Sequence, residues 1–410
     1  MENKKLTKLE KYWIMYDVGN SAFVMLIATI IPIYFNYLAK SAGISEVNYL
    51  AYWGYAASVS TVIVAAIGPV LGSIADMQNY KKPLFTISMM VGVIGCAVMS
   101  FPTSWVIFLA VFVIAKVGYN ASLIFYDSML VDITSTDRMD EVSSQGYAWG
   151  YIGSCIPFIL SLVLVLMYEK IGITMHMAMT GAFILNAVWW AVVTIPLLRN
   201  YRQKNYVAVP SHSVKNSFKR LGQTFMDVHK EKKIFWYLLA FFFFIDGVYT
   251  IIEMATAYGS ALGLDSTGLL LALLVTQIVA FPCALICAKL SGKYPTEQLI
   301  GVCIVAYIGI ALFAIQLDKQ WEFWTLAVLV GMFQGAIQAL ARSYFAKIIP
   351  AEKSGEYFGI YDICGKGASF MGTTLVGIVA QVTGVANAGV AVIAVLFVIG
   401  YILFKKAVRA

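Results

Sequence analysis

Charge is what this chain has least of. Aspartate, glutamate, lysine and arginine supply 12 % of its 410 residues, 60 % are hydrophobic and mean hydropathy is +0.78, against roughly 25 % charge in an ordinary soluble domain. That deficit excludes a chain folded with water on every side. Period-2 alternation is missing too. The apolar runs continue for about 20 residues, which excludes a β-barrel and calls for helices that satisfy their own backbone groups in lipid. Histidine is scarce, and His176, His212 and His229 all fall outside the span interiors, so neither a histidine proton relay nor a His-rich intramembrane metal site is expected. The six cysteines, Cys96, Cys155, Cys283, Cys287, Cys303 and Cys364, all sit inside apolar runs; this argues against an extracellular disulfide framework. A cleavable signal peptide is not expected, because the first apolar run has full spanning length and follows a lysine-rich tail.

What is present is a series of apolar runs near 13–38, 50–75, 83–102, 104–131, 147–168, 177–198, 234–259, 267–290, 297–317, 322–346, 357–381 and 385–404. The expected fold is an all-α membrane protein of twelve transmembrane helices. Its expected organisation is a six-helix bundle over 1–198, a basic linker over 199–233 and a second six-helix bundle over 234–410. Placing the N-terminus in the cytoplasm leaves Lys40, Lys170 and Lys319 on outer segments and Lys116 and Lys366 within the membrane, with every other lysine and arginine inside. The positive-inside rule therefore predicts two cytoplasmic termini, and the net charge of +7 reads as a topology signal rather than a nucleic-acid surface. In the linker, Phe218, Leu221, Phe225 and Val228 recur at near-helical spacing, which fits either an interfacial amphipathic helix or an unstructured connection.

The chain repeats itself. A hairpin from Gly331 to Ser369 joins a helix carrying Gln334, Gln338 and Arg342 to one carrying Asp362 and Lys366 through the charged hinge Pro350–Glu356. Sliding back 215 positions lays Ser343 on Ser128, Glu352 and Lys353 on Asp137 and Arg138, and Glu356 on Glu141. Two related halves of this kind place a binding site at their interface and rock around it.

Ionisable residues inside spans are expensive and usually functional. Asp17, with Asn20 and Ser21 on the same face of the first span, reads as a coupling or cavity-lining acid, or as a headgroup-level helix end. Lys116 and Asn120 lie on one stripe of the fourth span with Asp127; Lys116 is too central to snorkel and is expected to face a wet cavity or a carboxylate. Asp246 and Glu253 share a face of the seventh span and read as coupling acids and substrate contacts, or as static partners of Lys116 or Lys366. Asp362 and Lys366 have i,i+4 spacing, so a local ion pair competes with a substrate role for the lysine. The 215-residue offset relates Asp127 to Arg342; this pair is expected to close an inner gate, with headgroup or helix-end binding as the alternative for the arginine. Substrate contacts are accordingly expected from Lys116, Asn120, Asp246, Glu253, Gln334, Gln338 and Lys366.

The second span ends Gly68-Pro-Val-Leu-Gly72-Ser-Ile-Ala-Asp76, followed by Lys81-Lys82. This resembles the signature loop between the second and third helices of the major facilitator superfamily, which implies gating roles for Gly68, Gly72 and Asp76, with Asp76 beside the start of the eleventh helix. Gly331-Met-Phe-Gln-Gly335-Ala-Ile-Gln-Ala-Leu-Ala-Arg342-Ser-Tyr-Phe, Ile349-Pro350 and Glu356-Tyr-Phe-Gly359-Ile-Tyr361 resemble the vacuole-effluxer-like branch of that superfamily. Tyr16-Asp17, Asn20-Ser21 and Phe125-Tyr126 with Leu130-Val-Asp132-Ile133 add to the resemblance. It implies two pseudo-symmetric six-helix bundles and secondary transport, with amino-acid efflux attributed to some eukaryotic relatives. The expected function is alternating-access movement of a small polar or zwitterionic solute, proton- or sodium-coupled, by a monomer in a bacterial cytoplasmic membrane. Export or flipping of an amphiphilic drug or lysolipid is the alternative. No cofactor, metal or enzymatic activity is expected; the partners are the solute, the coupling ion and membrane lipid.

Overall fold

The computed structural model describes residues 5–102, 104–207, 222–224, 226–261, 266–384 and 386–410. Twelve helices among them are long and apolar enough to span a bilayer: α1 (Lys8–Ser41), α2 (Ala51–Ala75), α3 (Lys81–Val98), α4 (Trp105–Ile133), α5 (Thr136–Leu166) and α6 (Met175–Asn200), then α7 (Lys232–Ala255), α8 (Leu271–Leu290), α9 (Thr296–Ala314), α10 (Gln320–Ile348), α11 (Ala351–Thr383) and α12 (Asn387–Arg409). An even number of spans returns both chain ends to one face, called here the terminal face.

Local chemistry explains the helix starts and breaks. Thr7 opens α1 with a reciprocal cap: its hydroxyl accepts from the Glu10 amide at 3.2 Å, and the Glu10 carboxylate accepts from the Thr7 amide at 2.7 Å. The same helix breaks at Thr29, three residues before Pro32, whose ring cannot donate to the Ala28 carbonyl and crowds it. At the charged hinges, short 3₁₀ turns at Thr136–Arg138 and Ala351–Lys353 lead into α5 and α11, so the two repeated hairpins have the same local form.

In the first half α1 lies against α5 and α6, and α4 against α2 and α3; in the second, α7 lies against α11 and α12, and α9 against α10 and α12. The halves meet where α2 packs on α11 and α5 on α8 and α10, with α4 also touching α11. Aromatic stacking fills each bundle, as in Trp13 on Tyr126 at 4.4 Å and Phe241 on Tyr361 at 3.9 Å.

The connection between halves departs from the expected limits. Residues 201–207 do not form a free linker; they dock on the first half. The Asp132 carboxylate accepts from the Tyr201 hydroxyl at 2.6 Å and the Asn205 amide at 2.8 Å, while the Val207 amide donates to the Asp76 carbonyl at 2.8 Å. A buried carboxylate recruits the donors it needs from whatever chain passes it. Residues 222–224 and 226–230 are helical, and Val228 is buried. The remaining positions of the expected amphipathic stripe, Phe218, Leu221 and Phe225, lie outside the described residues.

Candidate functional site

Gly72 and Gly355 let α2 and α11 cross with their backbones touching: a Cβ on Gly355 would sit 2.5 Å from the Gly72 carbonyl oxygen and 2.8 Å from an Asp76 oxygen. This close approach delivers Asp76 to the first turn of α11, where its two oxygens accept from the Gly355 amide at 2.7 Å and the Glu356 amide at 2.9 Å. The helix N-terminus thus gains a carboxyl cap from the other half. Complete burial pushes the Asp76 carboxyl up to about 7, against the pull of Lys81 and these amides. Lys81 is itself fully buried; its ammonium donates to Ser354 Oγ at 2.8 Å and the Ser128 carbonyl at 3.3 Å and lies 3.7 Å from Asp132. Gly68 contributes differently. It packs beneath Ile124 of α4, and its carbonyl would lie 3.0 Å from a Cβ on Gly359 of α11.

A second cluster surrounds Arg342 of α10. Its guanidinium donates to Asp127 at 3.0 Å, Asp17 at 3.3 Å, Ser143 Oγ at 3.0 Å and the Ser143 carbonyl at 3.1 Å. Three rings of the first half enclose it, Tyr147 at 4.5 Å, Trp13 at 4.7 Å and Tyr126 at 5.4 Å from the guanidinium carbon. Delocalised charge, five donors and a flat face make arginine the residue that can use two carboxylates, a serine and an aromatic cage together. Headgroup binding, the alternative for Arg342, does not fit its burial. Asp17, expected as a coupling or cavity-lining acid or as a headgroup-level helix end, belongs to this cluster.

A third cluster lies nearer the chain ends. Asp140 of α5 accepts from Ser343 Oγ at 2.6 Å, Lys347 Nζ at 2.5 Å and Thr296 Oγ1 at 2.5 Å. All three clusters tie one half to the other between mid-membrane and the terminal face.

Above them, towards the opposite face, further polar side chains come from helices that pack together: Lys116 from α4, Tyr249 and Glu253 from α7, and Asp362 and Lys366 from α11, which touches both α4 and α7. Lys366 is held by the local pair to Asp362. The Lys116 ammonium lies 5.9 Å from the Phe112 ring centroid, a weak partner. Gln338 of α10 donates to the Tyr151 hydroxyl of α5 at 3.3 Å and to the Gln334 carbonyl at 3.2 Å, and Asn120 is buried beside this region.

Asp246 does not join Lys116 and Lys366 as expected. It is fully buried between α7 and α11, where Oδ1 accepts from the Gly372 amide at 2.9 Å and Thr250 Oγ1 at 3.3 Å, while Oδ2 has no hydrogen-bond partner among the described residues. Gly372 is the reason: any side chain there would run into Asp246 and Thr250, so α11 closes directly over the acid. A solute contact for Asp246 in this conformation is thereby excluded.

The family description "Vacuole effluxer Atg22 like" matches residues 7–138 and 131–409. The chain belongs to this family. It is 41 % identical over 405 residues to the "Uncharacterized MFS-type transporter YxiO" of Bacillus subtilis (strain 168), covering 98 % of this chain and 95 % of that one. Autophagy-related protein 22-1 of Aspergillus niger is 24 % identical over 283 residues, and this Atg22-like chain spans about half the length of that fungal relative, 45 % of it. Among solved structures, the major facilitator superfamily transporter FucP in the outward conformation superposes with a TM-score of 0.73 at 10 % identity, covering 98 % of this chain and 97 % of FucP. A bacterial homologue of the iron transporter ferroportin in an outward-facing state gives 0.69 at 12 % identity over 98 % and 99 %. The Atg22-like protein is therefore an integral membrane transporter of the major facilitator fold with a small-molecule substrate, not an enzyme.

Sequence reasoning missed Asp140, Ser143, Lys347, Thr296 and the aromatic cage. A signal was present: Ser343 and Lys347 are one turn apart on α10 beside Arg342, so a second partner from the other half was required on that face.

Proposed function

We propose that this Atg22-like protein moves a small polar or zwitterionic solute, an amino acid being the best fit, across a bacterial cytoplasmic membrane by alternating access. Its terminal face is the cytoplasmic one. The observation that carries this reading is the packing of α11 against both α4 and α7, which groups helices bearing Lys116 from the first half and Glu253 and Lys366 from the second, all three at least partly exposed. A solute carboxylate answers Lys116 and a solute ammonium answers Glu253, so one zwitterion bridges the halves and gains from both only when they approach. The three clusters on the cytoplasmic side close that exit, which supports an outward-facing resting state and agrees with the vacuolar effluxer relatives in kind of activity. Asp246, sealed under α11 on the same face of α7 as Glu253, is the proposed proton site.

Flux through purified protein in proteoliposomes tests the reading, with amino acids and other small zwitterions offered under imposed proton or sodium gradients. Saturable flux of a zwitterion that the Lys116→Met variant loses is expected. Movement of lysolipid or amphiphilic drug reporters with no zwitterion flux would replace it with amphiphile export.

A further inference from the structure

The loop that holds Asp76 corresponds in the second half to Lys289-Leu-Ser-Gly-Lys293, which has no acid to cap a helix of the first. We infer that Asp140 supplies the missing function, as the second member of a two-fold pair of cytoplasmic latches in which the charges have changed places. This inference rests on the alternating-access reading above and deepens it, by assigning closure at the third cluster to Asp140 and coupling it to the Asp76 contact as its two-fold counterpart.

The argument comes from the repeat and the contacts together. The 215-residue offset that relates the halves maps Lys81 to Thr296, Ser128 to Ser343, Asp132 to Lys347 and Asp140 to Gly355. Every one of these eight residues lies in one of two clusters. In the first, Lys81 at the start of α3 reaches Asp132 and the Ser128 carbonyl on α4, and the other half contributes the start of α11 through Ser354 and Gly355. In the second, Thr296 at the start of α9 meets Ser343 and Lys347 on α10 around Asp140, and the other half contributes the start of α5 through that acid. Lys347 also donates to Thr296 Oγ1 at 3.0 Å, closing the ring. Helix by helix the arrangement is preserved, although the individual contacts differ. The cation has moved from the α3-type site to the α10 site, and the anion has moved across the interface from the Asp76 loop to α5.

The exchange keeps the physics intact. Each latch places one buried carboxylate against donors of the opposite half, and the pair flanks the Asp127–Arg342 bond, whose two residues are themselves 215 apart and so straddle the pseudo-two-fold axis. Three ties in a row across one face leave little freedom for rocking. Opening that face must break Asp140 from Ser343, Lys347 and Thr296 together, leaving a 4 %-exposed carboxylate without its partners unless water enters.

Hydrogen–deuterium exchange of the full chain in lipid nanodiscs tests this without a known solute. Asp140→Asn keeps the shape and removes the charge. If Asp140 is a latch, exchange rises at least about tenfold not only at the inner ends of α5 and α10 but also at Gly355–Tyr361, on the far side of the face, because both latches open in one motion. A merely local role raises exchange around Thr296 and Lys347 alone, and that outcome overturns the inference. Lys347→Met, which leaves Asp140 in place, is the second variant and is expected to give the same distant rise. Arg342→Ala serves as the reference: if it opens the face while Asp140→Asn and Lys347→Met do not, the latch is refuted and alternating access stands. If none of the three changes exchange at Gly355–Tyr361, the alternating-access reading falls and the latch with it.

Discussion

Gly355→Ala tests the backbone contact that closes the terminal face. The new methyl carbon would lie 2.5 Å from the Gly72 carbonyl oxygen, 0.9 Å short of ordinary contact at 3.4 Å, and 2.8 Å from the Asp76 oxygen. Neither neighbour can yield cheaply. The first is main chain in the last turn of α2, its carbonyl held by the Asp76 amide at 3.2 Å, and the second is held by two amides at 2.7 and 2.9 Å. Relief therefore comes from moving α11 away from α2, and overpacking of this kind costs about 1–3 kcal/mol. Charged against the closed state alone, that shifts the closed-to-open ratio by roughly five- to 150-fold. Spin labels on cysteines introduced at Gln78 and Glu352, in a background with the six native cysteines replaced, report the separation of the halves at this face. The control is Gly377→Ala on the same helix, where a Cβ meets nothing within 4 Å. The expected result is a new, longer distance population in Gly355→Ala and none in Gly377→Ala. Identical distance distributions for wild type and Gly355→Ala would refute the claim that the α2–α11 crossing holds the face shut.

Two further outcomes follow from the clusters. Asp76 in the closed face sits near 7, above the ordinary value near 3.8 that it regains when exposed, so the closed face is the better proton binder. Closure is accordingly strongest below about pH 4 and weakens as pH rises through 7; amide exchange at Gly355–Tyr361, corrected for its intrinsic pH dependence, should grow from pH 5 to 8 in wild type and show a flat profile in Asp76→Asn. For the central pair, Asp127→Arg or Arg342→Asp alone should lower flux at least about tenfold by stranding a buried charge, and the double exchange should recover part of it. A double variant no better than either single one counts against direct pairing, although Asp17 keeps its claim on the site.

Much of the architecture was legible because the cost of exposing a backbone group or a charge to lipid is paid residue by residue. The twelve apolar runs coincide with the twelve spans, and observed ends differ mainly where a polar cap extends a helix, as Thr7 and Glu10 do for α1. Asp127 and Arg342 were legible for another reason: residues related by an internal two-fold meet if they lie near its axis, and opposite signs make that meeting favourable. Asp140 was hidden because its three partners come from α9 and α10, 156 to 207 residues away, and an acid beside a charged hinge looks like ordinary helix-start chemistry.

From composition and spacing alone came the membrane as solvent, the count and order of spans, the duplication and the set of charges that lipid will not tolerate unpartnered. Which charges meet was decided in three dimensions. Asp246 and Glu253 share a helical stripe, yet the rotation and depth of α7, set by the bare backbone of Gly372, seal one under α11 and leave the other partly open. A few tens of degrees about a helix axis separate a buried acid from a solute contact, and only packing against neighbouring helices fixes that angle.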